Sequence, residues 1–74
     1  MRKSEFLLAM SDEFGEAYGR TLSHDLVLSS LGELTADQAM SAGVPFREIW
    51  LAICDVQDVP ANRRYGVGQR EPKR

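Results

Sequence analysis

Three adjacent residues, Ser23, His24 and Asp25, are the side-chain types of a nucleophile, a general base and the group that orients the base. Catalysis would require the three side chains to converge on one point. The surrounding pattern is helical, and neighbouring positions on a helix point about 100° apart. We therefore expect no triad here. His24 is expected to be half-buried on an apolar helix face and held by a local hydrogen bond.

Cys54 is the only cysteine of the chain, which excludes an internal disulfide and, with a single histidine, a structural zinc site. A reactive thiol needs a nearby cation or a helix N-terminus to lower its pKa. Cys54 instead falls near the C-terminal end of a predicted helix, next to Asp55. We expect it to be a small core residue.

Pairs of carboxylates, such as Asp12-Glu13, could attract a hard cation, but they lack the alternating ligands of a calcium-binding loop. A solvated acidic face is the simpler interpretation. We predict no metal ion, no other cofactor and no catalytic residue, and we expect that the protein is not an enzyme.

The segment 35–53 has the spacing of a helix-turn-helix. Ala39 allows two helices to approach closely, Gly43 makes the turn, and Ile49 packs the second helix against the first. A helix that reads DNA usually carries arginine and lysine, whereas the charged positions of the second helix here, Arg47, Glu48 and Asp55, sum to −1. We favour a packing unit, with DNA reading as the weaker alternative.

The same helix contains the residues that we single out for binding a protein partner, which are Trp50, Arg47 and Glu48. A protruding tryptophan would anchor such a partner. In a core this small, packing is the expected use of the Trp50 ring.

Charge is distributed unevenly along the 74 residues, although the formal net charge is only −2. Residues 4–62 hold two arginines and ten carboxylates, so their sum is 2 − 10 = −8. The C-terminal end is basic, through Arg63, Arg64, Arg70, Lys73 and Arg74. These five side chains could contact nucleic-acid phosphates without sequence specificity, fold back over the acidic body, or serve only to keep the protein soluble.

The elements that position these residues are predicted to be helices throughout. Apolar periodicity gives an all-α fold, a compact bundle of about four short helices over 4–14, 16–31, 36–42 and 45–59, with one further turn at 60–64. Ser4 is the expected N-cap of the first helix, whose apolar stripe includes Leu7. The predicted stripe of the second contains Ala17, Thr21, His24, Leu28 and Leu31, and it is widened by Tyr18, Leu22 and Val27. Thr35 and Gln38 form a capping box for the third.

The chain is predicted to form a single helical domain at 1–64, followed by a disordered basic tail at 65–74. No apolar run approaches the roughly 18 residues that span a bilayer. Met1-Arg-Lys is not followed by the long apolar region of a signal peptide. We expect a cytoplasmic protein without a membrane partner.

Several short motifs occur in a fixed order, and together they resemble a small actinobacterial family known as domain of unknown function 3046. The motifs are Met1-Arg-x-Ser-Glu-Phe6, Asp12-Glu-Phe-Gly15, Asp25-x-Val-Leu28, Leu31-Gly32, Thr35-Ala-Asp-Gln-Ala39, Ala42-Gly43-Val44, Arg47-x-x-Trp50-x-x-x-Cys54 and Val59-Pro60. The resemblance implies a compact helical fold in the cytoplasm of a high-GC Gram-positive bacterium. It also implies a gene commonly found near those of a recombinase and its regulator, and it assigns no catalytic residue.

Two functions follow as expectations. The first is a non-enzymatic protein-interaction module that docks a protein partner through its acidic surface or an exposed apolar groove. The alternative is a nucleic-acid-binding accessory protein linked to DNA repair or recombination, acting through the basic tail. The oligomeric state is left open by the sequence.

Overall fold

The computed structural model describes residues 1–64, so the predicted tail at 65–74, with Arg70, Lys73 and Arg74, lies outside the described residues. Within 1–64 the order of elements is α1 (Lys3–Phe14), α2 (Glu16–Asp25), β1 (Val27–Leu28), a 3₁₀ turn (Ser29–Leu31), β2 (Leu34–Thr35), α3 (Ala36–Ser41), α4 (Phe46–Gln57) and α5 (Ala61–Arg64). The predicted helical fold class is confirmed, with the addition of a small two-stranded sheet.

The first helix begins earlier than predicted. Its N-cap is Arg2, whereas Ser4 lies inside the helix. The Glu5 carboxylate accepts a hydrogen bond of 2.7 Å from the Arg2 backbone N–H, so an acidic side chain of the first turn satisfies this amide. Gly15 alone separates α1 from α2, and its φ of +87° is a conformation that glycine adopts without a Cβ penalty.

The second helix ends at Asp25 and not at residue 31 as predicted. Leu26 is extended, and the chain then forms an antiparallel pair in which Val27 faces Thr35 and Leu28 faces Leu34. The turn between the strands uses two left-handed residues, Gly32 and Glu33, at φ 81° and 70°. Leu28 is fully buried in the strand, and the predicted helical stripe also placed it in the core. The stripe alone therefore did not reveal the strand.

The buried face of α2 matches the prediction at Leu22 and differs from it elsewhere. Gly19, Leu22 and Ser23 are buried, whereas Ala17 and Thr21 are exposed. A Cβ built on Gly19 would lie 3.1 Å from the backbone oxygen of Met10, so the missing side chain lets α2 lie close against α1. The face that α2 buries therefore combines the apolar Leu22 with the close backbone approach at Gly19.

The core is built around α4, which packs against α1, α3, α5, β1 and the 3₁₀ turn. Its largest fully buried side chains are Trp50, Phe6, Leu28, Ile49, Ile53 and Cys54. The rings of Phe14 and Trp50 meet edge to face at 6.2 Å. No helix within residues 1–64 is long and apolar enough to cross a membrane.

The third helix begins at the predicted capping box. Thr35 Oγ1 accepts from the Gln38 backbone N–H at 3.2 Å, and the Gln38 side chain accepts from the Thr35 N–H at 3.0 Å. Two donors that the helix itself leaves unpaired are thereby satisfied. This local prediction is confirmed in both of its hydrogen bonds.

Candidate protein-interaction groove

His24 is exposed, which corrects the expectation of a half-buried side chain with a local hydrogen bond. Its Nδ1 lies 3.3 Å from Oδ2 of Asp37, thirteen positions further along the chain. Because α2 ends at Asp25, His24 lies in its last turn and faces the first turn of α3. Ser23 next to it is buried, so the two side chains lie in different environments.

Cys54 is fully buried in the core, as predicted. Burial in apolar surroundings raises the pKa of its thiol from 9.0 to about 12, and the nearby Arg64 guanidinium opposes this shift only in part. The thiolate, which is the nucleophilic form, is therefore strongly disfavoured at neutral pH. Among residues 1–64 no cluster of three or more His, Cys, Asp or Glu side chains could hold a metal ion.

Trp50 lies in the core with 2% of its surface exposed. Its indole Nε1 donates a hydrogen bond to the backbone carbonyl of Arg64, which ties α4 to α5. The Trp50 ring therefore packs in the core of the protein. Arg47 and Glu48, the other two residues singled out with it, are exposed in the first turns of α4.

Arg63 and Arg64 fold back onto the acidic body, which is one of the three roles considered for the basic end. Arg63 donates to both carboxylate oxygens of Glu13, at 2.8 to 3.1 Å. Arg64 donates to the Val59 carbonyl at 2.7 Å and to the Asp55 carboxylate. Both guanidinium groups are therefore engaged by the protein itself.

The helix-turn-helix spacing produces the expected packing contacts between α3 and α4. Ala39 and Ile49 are fully buried, and Gly43 turns the chain at a φ of +87°. The Val44 N–H donates to the Ala39 carbonyl at 3.0 Å and closes the turn. These contacts explain the residue types at the three positions without reference to DNA.

A groove of about 630 Å³ runs between α1, α2 and α3. Its walls include Leu7 and Leu8, which are 50% and 52% exposed, although Leu7 was expected on the buried stripe. The other lining residues are Ser4, Met10, Ser11, Glu16, Gly19, Arg20, Ser23, Asp37 and Met40.

The groove has a helical period on two sides. On α1 the lining positions 4, 7, 8 and 11 lie on one face, and on α2 the positions 16, 19, 20 and 23 repeat the same i, i+3, i+4, i+7 spacing. Met10 and Gly19 meet at the floor. The groove is therefore the seam between two packed helices, open to solvent along about two turns.

The sequence suggested an exposed apolar groove as one possible docking surface but did not place it between these helices, although a signal for its position was present. Residues 6–10 read Phe-Leu-Leu-Ala-Met, and consecutive apolar residues on a helix cannot all face one stripe. Phe6, Ala9 and Met10 take the core positions. Leu7 and Leu8 are consequently left on the other side of α1.

The fold and the groove define a small, mainly helical protein with a half-exposed apolar seam beside a compact core. The chain belongs to the family described as protein of unknown function (DUF3046), whose model matches residues 1–62. The resemblance seen in the separated motifs is thereby confirmed, while the actinobacterial source stays a prediction. Comparison with curated proteins and with solved structures found no match.

Proposed function

We propose that this protein is a cytoplasmic, non-enzymatic protein-interaction module that docks a partner protein in the groove between α1, α2 and α3. The observation that carries the proposal is the pair Leu7 and Leu8, which are half-exposed side by side on the groove wall. Exposed apolar surface next to polar residues is typical of interaction sites, because covering it releases water.

The groove supports this function better than Trp50 does. The tryptophan ring is already covered by its own chain, so it offers no surface for a partner. Leu7 and Leu8, by contrast, would each gain burial when a partner covers them, at about 25 cal/mol per Å² of apolar surface.

The alternative, a nucleic-acid accessory protein, has less support within residues 1–64. Arg63 and Arg64 would have to leave Glu13 and Asp55 before they could neutralise phosphates. The described residues 1–64 hold six arginines and lysines against ten carboxylates, and their sum of 6 − 10 = −4 would also repel a phosphate backbone. We propose accordingly that the α3–α4 pair serves as a packing unit.

A photo-crosslinking amino acid placed at Ser11, on the groove rim, tests the proposal in cells that naturally express the protein. The matched control carries the same crosslinker at Ser30, which is exposed in the 3₁₀ turn. We expect a discrete protein adduct from position 11 that is absent from position 30 and is lost when Leu8→Gln is added. The exposed Val56→Gln on α4 should leave the adduct intact.

Adducts of equal pattern from positions 11 and 30 would overturn the proposal, as would an adduct that survives Leu8→Gln. Because Leu8 and Val56 are exposed to similar extents, 52% and 53%, the two glutamine variants should fold alike. Far-UV circular dichroism of both variants checks this requirement.

A further inference from the structure

We propose that the occupant of the groove is an amphipathic helix of a partner protein whose apolar stripe is flanked by lysine and arginine. This inference rests on the proposed function and names the kind of partner that the same site would take. Three observations carry it: the period of the lining residues, the chemistry of the walls, and the charge of the body.

The period of the lining favours a helix as the occupant. Ser4 and Ser11 mark the ends of the groove on α1, and seven residues at 1.5 Å per residue give about 10 Å. Two turns of a third helix have the same length. Its side chains at i, i+3 or i+4 and i+7 can fill the seam between α1 and α2, the usual way in which a helix binds in a groove.

The walls select an apolar stripe on that helix. Leu7 and Leu8 offer branched aliphatic surface, while Met10 and Met40 place flexible side chains at the floor and at the α3 side. Methionine adjusts to side chains of different shape, which suits a docking surface. Gly19 forms the floor together with Met10, because its missing side chain lets the two helices lie close together there.

Charge distinguishes a basic partner from a second copy of this chain. Residues 1–64, in which Arg63 and Arg64 pair with Glu13 and Asp55, hold six arginines and lysines against ten carboxylates, a sum of 6 − 10 = −4. The rim contributes Glu16 and Asp37 against Arg20, whose guanidinium is 3.3 Å from the Glu16 carboxylate. Two copies would bring like charges together, whereas a helix with lysine and arginine flanks would lower the repulsion within the body.

Three synthetic 14-residue peptides test the inference against the full ¹⁵N-labelled chain. The first is a helix with a leucine stripe and lysine flanks, the second has the same stripe with glutamate flanks, and the third is a scrambled version of the first. We expect the first to bind at least tenfold more tightly than either of the others at low salt. Its amide shift changes should map to residues 4–11 and 16–23.

The advantage of the lysine peptide should shrink at least threefold between 50 and 500 mM salt, because screening weakens the attraction. Leu8→Gln should weaken its binding at least fivefold, while Val56→Gln should not. If the glutamate peptide binds as tightly as the lysine peptide, the inference that the partner is basic is wrong. If the scrambled peptide binds as tightly, the inference that the partner is an amphipathic helix is wrong. A chain that sediments as a dimer through this groove overturns both.

The two proposals fail in distinguishable ways. If the crosslink from Ser11 depends on Leu8 in cells but the glutamate peptide binds as well as the lysine peptide, the interaction module stands and its partner is not basic. If the crosslink shows no dependence on Leu8, the module itself is wrong, whatever the peptides do.

Discussion

The guanidinium of Arg63 forms a bidentate ion pair with the carboxylate of Glu13, fifty positions away in the chain, with two nitrogens donating to two oxygens. Glu13 stands at the end of α1 with only 15% of its side chain exposed, and Arg63 lies in the last described helix. Together with the bond from Trp50 to the Arg64 carbonyl, this pair attaches α5 to the core.

The Arg63–Glu13 pair should contribute measurably to stability. Bidentate pairs are geometrically favourable, but the Arg63 side chain is 55% exposed and screened by water, so we expect a coupling free energy of about 0.5–1 kcal/mol. A double-mutant cycle with Glu13→Gln and Arg63→Gln in urea unfolding measures it. The exposed pair Glu16–Arg20 is the control and should give a smaller coupling; equal values would refute the special role of Arg63.

The indole bond to Arg64 predicts a local effect of Trp50→Phe. The substitution keeps an aromatic ring in the core but removes the donor, so the free energy of unfolding should fall by about 1–2 kcal/mol. Hydrogen exchange should quicken most at the Arg63 amide, which donates to the Pro60 carbonyl in α5. Unchanged protection of this amide relative to α3 would contradict the attachment of α5 through Trp50.

Cys54 predicts a pH dependence of stability. Because its pKa is raised to about 12 in the folded protein from 9.0, the unfolded chain releases the thiol proton first as pH rises. The contribution of the protonated thiol to the free energy of unfolding is therefore fully present below pH 9 and is progressively lost as the pH rises above it. Urea unfolding of the natural chain and of Cys54→Ala between pH 8 and 10.5 should give a steeper decline for the natural chain, and parallel curves would exclude the shift.

Gly19 predicts that a substitution which usually stabilises helices will destabilise this one. Glycine to alanine in a helix normally gains up to about 1 kcal/mol. Here the new Cβ would lie 3.1 Å from the Met10 backbone oxygen, and pushing α1 away from α2 should give a net loss of about 1 kcal/mol. Thermal unfolding of Gly19→Ala measures whether stability falls or rises. A rise would contradict the prediction, because it would mean that α1 and α2 can move apart at little cost.

Local signals in the sequence predicted much of the fold. The Thr35–Gln38 capping box and the turn at Gly43 depend on neighbours within a few positions, and both are present. The burial of Cys54 was expected from the apolar periodicity of its helix and is also present. The pair of strands was missed because Val27 and Leu28 also fit a helical stripe. Their pairing depends on partners at Leu34 and Thr35, across a turn with two left-handed residues.

The candidate site was harder to predict than the fold. His24 is exposed because α2 buries the face that contains Gly19, Leu22 and Ser23, and its contact with Asp37 requires α3 to lie beside it. The groove depends on the close approach of Met10 and Gly19, which no property of either residue alone reveals. The sequence shows that Leu7 and Leu8 cannot both lie on the apolar stripe of α1. That they line a groove together with residues of α2 depends on the tertiary structure.

The most direct test of the interaction module is the contact surface of the partner that the Ser11 crosslink captures. That partner, purified and added to the ¹⁵N-labelled chain, should shift the amides of residues 4–11 and 16–23 while the Val56 amide stays unchanged. Leu8→Gln should weaken its binding at least fivefold, because half of the Leu8 side chain would be covered in the complex. Shifts confined to α4 around Val56, or unchanged binding to Leu8→Gln, would contradict the account.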